Sequence, residues 1–335
     1  MVTRKDVAKH AGVSTATISN VINNRDVVST KIRERVLNSV KVLRYKPNMV
    51  ARSLKTKETL QVALIINDIR NEYYAEVVIG VEEEATLAGY SVCILNAKNY
   101  DYYMSEVIKR QFDGIIIIAD KIPISSINEI AENDTPIVFV GNQGYSGVDE
   151  RVTEIFIDMY SGAYELFEYL FNLGHRKVAY ISARALDSIN EPDYRIKAFV
   201  TAMNDNGISV DYTSIFIHGD TLQYAFDSAY SLLMNENRPT AIFTGNDNLA
   251  MAVMEAVRRS GLRIPEDVSV AGFDNLDLSK YLNPSLTTVE NPKYRLGKKA
   301  MKLLLKKMKG EKVENFFMQT ELIIRKSTQS IKTKF

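Results

Sequence analysis

The sequence carries one cysteine, Cys93, so no internal disulfide can hold it together. Cys93 lies in Ser91-Val-Cys-Ile-Leu95, which reads as a buried strand, and is expected to be a small core side chain. The three histidines, His10, His175 and His218, are scattered and lack metal-ligand spacing. There is no P-loop and no Gly-x-Gly-x-x-Gly phosphate cradle. Gly144-Tyr-Ser-Gly147 lacks the spacing of a nucleophile elbow. Glu82, Glu83 and Glu84 share one helix and read as a solvated face rather than an acid–base pair. Neither catalysis nor a cofactor or metal is therefore expected. No apolar run is long enough to cross a bilayer, and the first residues show no apolar leader. A cytoplasmic protein without a membrane partner is the expectation.

What is present is an asymmetry that the net charge of +1 hides. Residues 1–60 carry 13 Lys+Arg against 4 Asp+Glu, and the rest of the chain has the opposite bias. A basic head on an acidic body points to a polyanionic partner for the head. At 335 residues the chain should divide into two or three domains.

The head reads as three short helices. Thr3-x-x-Asp6 is a capping-box variant before a first helix whose apolar face is Val7, Ala8 and Ala11. Gly12-Val-Ser14 is a turn, and Ser14 caps a second helix with Ile18, Val21 and Ile22 inward. A third helix, capped by Ser29 or Thr30, puts Ile32, Val36, Leu37 and Val40 at helical spacing. This is a helix-turn-helix pattern: small alanines allow close approach, and the glycine permits a tight turn. Thr15, Ala16 and Asn20 should then face base edges in the major groove of DNA. Asn suits adenine, and Ala and Thr methyls suit the thymine methyl. Thr3, Ser14, Thr17, Ser19 and Asn23 are candidate phosphate contacts.

Residues 47–54, Pro-Asn-Met-Val-Ala-Arg-Ser-Leu, form a short amphipathic stretch. Asn48 can cap it, and Val50, Ala51 and Leu54 give an apolar stripe. So short a helix is unstable alone. Ordering it costs roughly 7–15 kcal/mol at ~1–2 per residue, which a partner surface must offset.

From residue 60 onward short apolar runs alternate with amphipathic helices. Strands are expected at 62–66, 92–95, 114–119, 137–140 and 155–158, then at 177–182, 214–217, 241–244 and 268–272. The alternation restarts after 160, which implies two α/β lobes with parallel sheets covered on both faces. Ligands bind such sheets at the strand carboxyl ends. A basic helix at 293–309 and a strand at 318–324 follow, and the tail reads as frayed.

The helix-turn-helix stretch, continued through Val28-Ser29, Arg44-Tyr45-x-Pro47-Asn48 and Val50-Ala-Arg-Ser-Leu54, resembles the lactose-repressor/galactose-repressor family of bacterial transcription regulators. Asn71-Glu-Tyr-Tyr74, Leu173-Gly-His-Arg-Lys-Val178, Gly245-Asn-Asp247 and Gly272-Phe-Asp-Asn275 extend the likeness over essentially the whole chain. The resemblance implies a helix-turn-helix head at 1–46, a hinge helix and linker at 47–59, and a two-lobed body like type I periplasmic binding proteins. The lobes are expected at 60–160 with 292–325 and at 161–291, with a frayed tail at 326–335. It implies a homodimeric, DNA-binding repressor whose affinity for a near-palindromic operator is set by a small effector. By the same resemblance Leu54 wedges into the operator minor groove, with Ala51 nearby and Val50 packed on its symmetry mate. Arg195, Asn246 and Asp274 match the polar contacts to the hydroxyls of a sugar effector, and Tyr73 and Tyr74 match the pocket wall. The alternative role for Arg195 and Asp274 is a salt bridge that holds the lobes. Ile189 and Glu191 cannot read a purine as its binders do, which favours a sugar. Thr221 stands where several relatives carry an aromatic. Two other readings compete: a phosphorylated carrier protein docking on Lys298, Lys299, Lys302, Lys306 and Lys307, and a sugar-binding transport protein.

Overall fold

The computed structural model describes residues 2–331, apart from 23–26, 47–52, 54–55, 57, 98–105, 108, 120–121, 142–145, 183–192, 211–214 and 217–220. The chain divides into two compact units, Met1–Thr59 and Leu60–Phe335.

In the first unit helices α1 (Arg4–Ala11), α2 (Thr15–Ile22) and α3 (Thr30–Val42) enclose a small core. The α1 capping box is complete: Thr3 Oγ1 accepts from the Asp6 amide, and Asp6 accepts from the Thr3 amide. Gly12 ends the helix at φ +60°, a left-handed conformation that Gly adopts without a Cβ penalty. Ser14 Oγ accepts from the Thr17 amide at 3.0 Å and so caps α2. Val7, Ala8, Ala11, Ile18, Val21, Val36 and Tyr45 are buried together. Each large apolar member contributes roughly 1.5–3 kcal/mol. Of the four α3 residues at helical spacing, Leu37 is 51% exposed, because Val36 and Val40 already fill the inner face of α3.

The second unit holds two parallel sheets. The proximal sheet has the order β11-β5-β4-β3-β1-β2, built from β1 (Gln61–Ile66), β2 (Ser91–Asn96), β3 (Gly114–Ile118), β4 (Ile137–Gly141), β5 (Val152–Asp158) and β11 (Phe316–Gln319). Its apolar runs are continuous because helices cover both faces. On one face α4 (Glu72–Leu87) and α10 (Lys293–Met308) bury Leu64, Ile116, Val138 and Ile155. On the other, α5 (Ile124–Ala131) helps cover Ile65, Ile117 and Phe139. β2 is a sheet edge, so Cys93 is half-buried rather than a core residue.

The distal sheet has the order β7-β6-β8-β9, from β6 (Val178–Ile181), β7 (Ile215–Phe216), β8 (Ala241–Thr244) and β9 (Ser269–Ala271). Helices α6 (Met159–Asn172) and α7 (Tyr194–Asp205) cover one face, and α8 (Leu222–Leu233) and α9 (Asp247–Arg259) the other. The aromatic cluster Phe167, Phe199, Tyr180 and Phe243 fills the α6–α7 side.

The C-terminal end departs from expectation twice. The run at 318–324 is not one strand. β11 pairs with β5, then β12 (Glu321–Ile323) pairs antiparallel with β10 (Thr288–Glu290), and Leu322 packs in the distal core. Thr320 marks the change of partner, donating its hydroxyl to Asp158 O at 2.8 Å. The tail is not frayed as far as residue 331. Ser327 is fully buried, donates to Val270 O at 2.6 Å and accepts from the Thr287 amide at 2.8 Å. The Ile331 amide donates to Leu173 O at 2.9 Å. These residues extend the distal lobe because their backbone groups find partners there.

Candidate functional site

In the head, α2 presents Thr15 and Ala16 to solvent, while Asn20 is half-buried. Ser14 and Thr17 hydroxyls lie 2.9 Å apart at the exposed amino end of α2. Ser19 Oγ accepts from Arg4 Nη1 at 3.4 Å, and Thr3 donates its hydroxyl to Asp6. Thr3, Ser14 and Thr17 thus carry local bonds at the amino ends of α1 and α2, and Ser19 lies further along α2. His10 contributes to packing: its Nδ1 lies 3.0 Å from the Ser39 hydroxyl. Asn23, Val50, Ala51 and Leu54 lie outside the described residues.

In the body, the carboxyl ends of β6, β8 and β9 bring three of the matched residues together. Arg195 is the second residue of α7 and is 7% exposed. Its Nη1 donates to Gly245 O at 2.6 Å, beside Asn246, and its guanidinium lies 5.4 Å from the Phe273 ring centre, beside Asp274. Asn246 caps α9, its Oδ1 accepting from the Leu249 amide at 2.9 Å. Asp274 has φ +99° and Asn275 φ +48°, so this turn is strained for two non-glycine residues. Lys293, at the start of α10, holds it. Its buried ammonium donates to Asp274 O at 2.7 Å and Asn275 O at 2.9 Å. Arg325 adds a bond to Asn275 Oδ1 at 2.6 Å.

Arg195 and Asp274 do not form the salt bridge considered above. The partner of Arg195 is Asp193, with Nε donating to Oδ1 at 2.9 Å. Asp193 also accepts from Tyr180 Oη at 2.7 Å, Ser182 Oγ at 2.8 Å and the Arg195 amide at 3.1 Å. Burial pushes the Asp193 carboxyl up, but Arg195 and these donors hold it below its ordinary value. Burial likewise opposes the Arg195 charge, and Asp193 more than offsets this.

Tyr73, on α4 of the proximal lobe, is buried, with its hydroxyl near Asn291 and Asp274. Burial and the adjacent Asp274 hold its pKa well above the ordinary value. Asn291 Nδ2 donates to Asp274 Oδ1 at 3.2 Å, so this amide joins α4 to the distal turn at the crossover. Tyr74 packs edge-on against Tyr73 and accepts from Asn67 Nδ2 at 2.8 Å. Tyr73, Arg195, Asn246 and Asp274 therefore share one neighbourhood, with Tyr74 at its proximal border.

Sequence reasoning missed Asp193, Tyr180, Asn291, Lys293 and Asp247. Asp193 left a signal as an acidic N-cap two residues before Arg195, and Asp247 stood in the phrase Gly245-Asn-Asp247 without a role. Asp247 accepts from Thr288 Oγ1 at 2.6 Å, the Leu276 amide at 2.8 Å and the Ser279 hydroxyl, and so ties α9 to the Asp274 turn. Burial pushes its carboxyl up to about 7, against the bonds from Ser279 and Thr288. A raised carboxyl pKa stabilises the fold below the unfolded value and loses that contribution as pH rises toward the folded one. Wild type should therefore lose about 1.4 kcal/mol per pH unit relative to Asp247→Asn between roughly pH 5 and 6.5. Urea unfolding at several pH values measures this, and parallel pH profiles would contradict it.

The basic face of α10 is largely engaged within the chain. Lys298 pairs with Glu83 and Glu84, and Lys302 with Glu84, so the acidic run on α4 is not merely solvated. Lys299 lies over the Phe316 ring, and Lys307 donates to Arg151 O at 2.6 Å. A separate cavity of about 300 Å³ opens at the amino end of the distal sheet, beside Arg176, Lys177 and Met203. Its lining includes none of Tyr73, Tyr74, Arg195, Asn246 and Asp274.

A helix-turn-helix reader on a two-lobed body, with buried donors and acceptors at a parallel-sheet carboxyl edge, defines a ligand-responsive DNA-binding regulator. Residues 3–48 match the description "Bacterial regulatory proteins, lacI family", and residues 167–328 match "Periplasmic binding protein-like domain". The chain is 35% identical over 340 residues to the HTH-type transcriptional repressor PurR of Photobacterium profundum, covering 99% of this chain and 100% of that one. It belongs to the lacI family of bacterial regulatory proteins and is a DNA-binding transcription regulator. Among solved structures, the lac repressor dimer bound to operator and the anti-inducer ONPF is similar with a TM-score of 0.83 and 26% identity, covering 98% of this chain and 99% of that one. The transcriptional regulator CelR–cellobiose complex is similar with a TM-score of 0.72 and 26% identity, covering 98% and 100%.

Proposed function

We propose that the chain is a homodimeric cytoplasmic repressor of a near-palindromic operator, controlled by a sugar held at Arg195, Asn246 and Asp274 against Tyr73 and Tyr74. The observation that carries this is the convergence of these groups at the carboxyl edge of the distal sheet. Guanidinium, amide and carboxylate together supply donors and acceptors for adjacent hydroxyls. The cellobiose complex of a regulator with this fold supports a sugar. The operator-bound dimer of another supports two-fold recognition of two half-sites. Thr15, Ala16 and Asn20 read bases. Thr3, Ser14, Thr17, Ser19 and Asn23 position the head on phosphates. Val50, Ala51 and Leu54 act as the minor-groove wedge. The role is regulatory, without turnover of the effector.

Thermal unfolding against a panel of mono- and disaccharides, followed by operator titration with each hit, tests the proposal. A ligand at a hundred times its Kd adds about 2.7 kcal/mol. A hit that also shifts operator affinity supports the proposal, and a panel without one overturns the sugar. The head is tested separately. Asn20→Ala should cost about 1–3 kcal/mol on the specific operator and far less on unrelated DNA. Equal losses on both would remove its base-reading role.

A further inference from the structure

The chain enters the body at a central strand. β1 lies between β3 and β2, so its first residues have neighbours on both sides. The Leu60 carbonyl accepts from the Ser91 amide of β2 at 2.9 Å. The Gln61 carbonyl accepts from the Asp113 amide, just before β3, also at 2.9 Å. The Asp113 side chain adds a third tie: its Oδ2 accepts from the Leu60 amide at 2.8 Å. Leu60 has φ +55°. Among the described non-glycine residues with positive φ, it is the one with an apolar side chain. Leucine has no polar group to stabilise that conformation locally, so its surroundings must impose it. The Asp113 carboxylate does so by giving the half-buried Leu60 amide a charge-assisted bond. An extended residue here would carry the chain back along the axis of β1, and a left-handed one turns it off that axis. The core of the head ends at Tyr45, so residues 46–59 are all that separate it from this turn. Fixing the first step of so short a tether narrows the positions its far end can reach. Two heads that read the half-sites of one operator must hold a fixed separation.

We infer that Asp113 is a positioning residue for operator recognition. By holding Leu60 left-handed it fixes the direction in which residues 46–59 leave the body, and with it the half-site spacing that a pair of heads can meet. The inference rests on the two-half-site reading of the proposed function and adds to it the residue that sets the spacing.

The test uses the full chain and an operator that wild type selects from random-sequence duplexes. It is compared with the same operator carrying one added base pair between its half-sites. The spacing preference is the ratio of the two affinities. It does not depend on the fraction of protein that is folded, so a merely structural loss leaves it unmoved. Wild type should prefer the selected spacing about tenfold or more. Asp113→Ala removes the acceptor, and Leu60→Pro removes the amide hydrogen and forces φ to negative values. Each should lower the preference about threefold or more, while affinity for a shuffled duplex stays within about twofold of wild type. Asp113→Asn keeps an acceptor oxygen, and Leu60→Asn supplies a residue that tolerates the left-handed region. Both should hold the preference within about twofold of wild type. An undiminished preference in Asp113→Ala and Leu60→Pro overturns the inference and leaves the operator reading standing. A loss in the two asparagine variants as large as in the alanine and proline ones also overturns it, since the left-handed turn would then not be what matters. If wild type itself shows no spacing preference, the two-half-site reading falls and the inference falls with it. Should Asp113→Ala fail to fold, Leu60→Pro against Leu60→Asn decides the question alone.

Discussion

Arg195→Ala should destabilise the body by about 3–5 kcal/mol, far more than loss of an exposed arginine. The cause is the carboxylate left behind. Asp193 is buried beneath Tyr180 and Ser182, and without Arg195 its charge has hydroxyl and amide donors but no counter-charge. Two checks separate this from a simple packing loss. Replacing both partners, as in Asp193→Ala with Arg195→Met, should recover more than half of the loss, because the double variant buries no charge. The gap between wild type and Arg195→Ala should also narrow in acid. In wild type the lowered Asp193 pKa contributes stability above the unfolded carboxyl value and loses it as pH falls through the folded one. In the variant, protonation relieves the unpaired charge instead. Urea unfolding at neutral and acid pH reads all of this. A loss below about 1 kcal/mol would mean that the pair is solvent-screened. Under the proposed function both variants should also lose the effector response, since the guanidinium donors assigned to the ligand are gone.

Gly297→Ala should be similarly damaging for a different reason. Gly297 on α10 faces the backbone of Val77 and Val81 on α4, and Gly80 on α4 faces the backbone of Tyr294 and Lys298 on α10. A Cβ at either position would fall far inside van der Waals distance of a carbonyl oxygen on the other helix. Backbone cannot rotate away as a side chain can, so the helices must separate. A loss of about 3 kcal/mol or more is expected, at or beyond the upper end of ordinary overpacking. Gly80→Ala should do the same, and the double variant should lose less than the sum, since one separation relieves both clashes. Chemical denaturation of the three variants checks this, and full additivity would show that the two contacts are independent. The damage should reach the effector cluster, because α10 begins at Lys293, which holds the Asp274 turn.

Both lobes were legible in the sequence because their information is local. Four- to six-residue apolar runs such as 114–118 alternate with amphipathic helices, and that period is fixed by burial on both faces of a parallel sheet. The head was legible for the same reason: α1, the turn at Gly12 and α2 fit within about twenty residues. What stayed hidden is long-range. Asp193 meets Tyr180 across 13 residues, and Lys293 meets Asp274 across 19. Nothing in either local stretch points to the other. The run at 318–324 concealed a change of sheet at Thr320 because both halves look like strand, and pairing partners leave no mark on a single strand's pattern. Arg195, Asn246 and Asp274 were singled out through the likeness to a family, and Asp193 and Lys293 were not, because their hydrogen bonds to this cluster appear only once the chain is folded.

The way the segment after α10 docks also bears on how the protein is made. Asn315 is bonded to Glu154, 161 residues earlier, and β11 completes an edge of the proximal sheet. Ser327 reaches back 57 residues to Val270 and closes the edge of the distal one. Neither lobe is a continuous stretch that a ribosome could release finished. During translation both sheets stand with an open edge until these late residues emerge, which leaves strands available for wrong pairing. The polypeptide thus reaches its native topology only once they have emerged, through contacts distant in sequence. Its exposure to proteases and to aggregation is greatest in that interval.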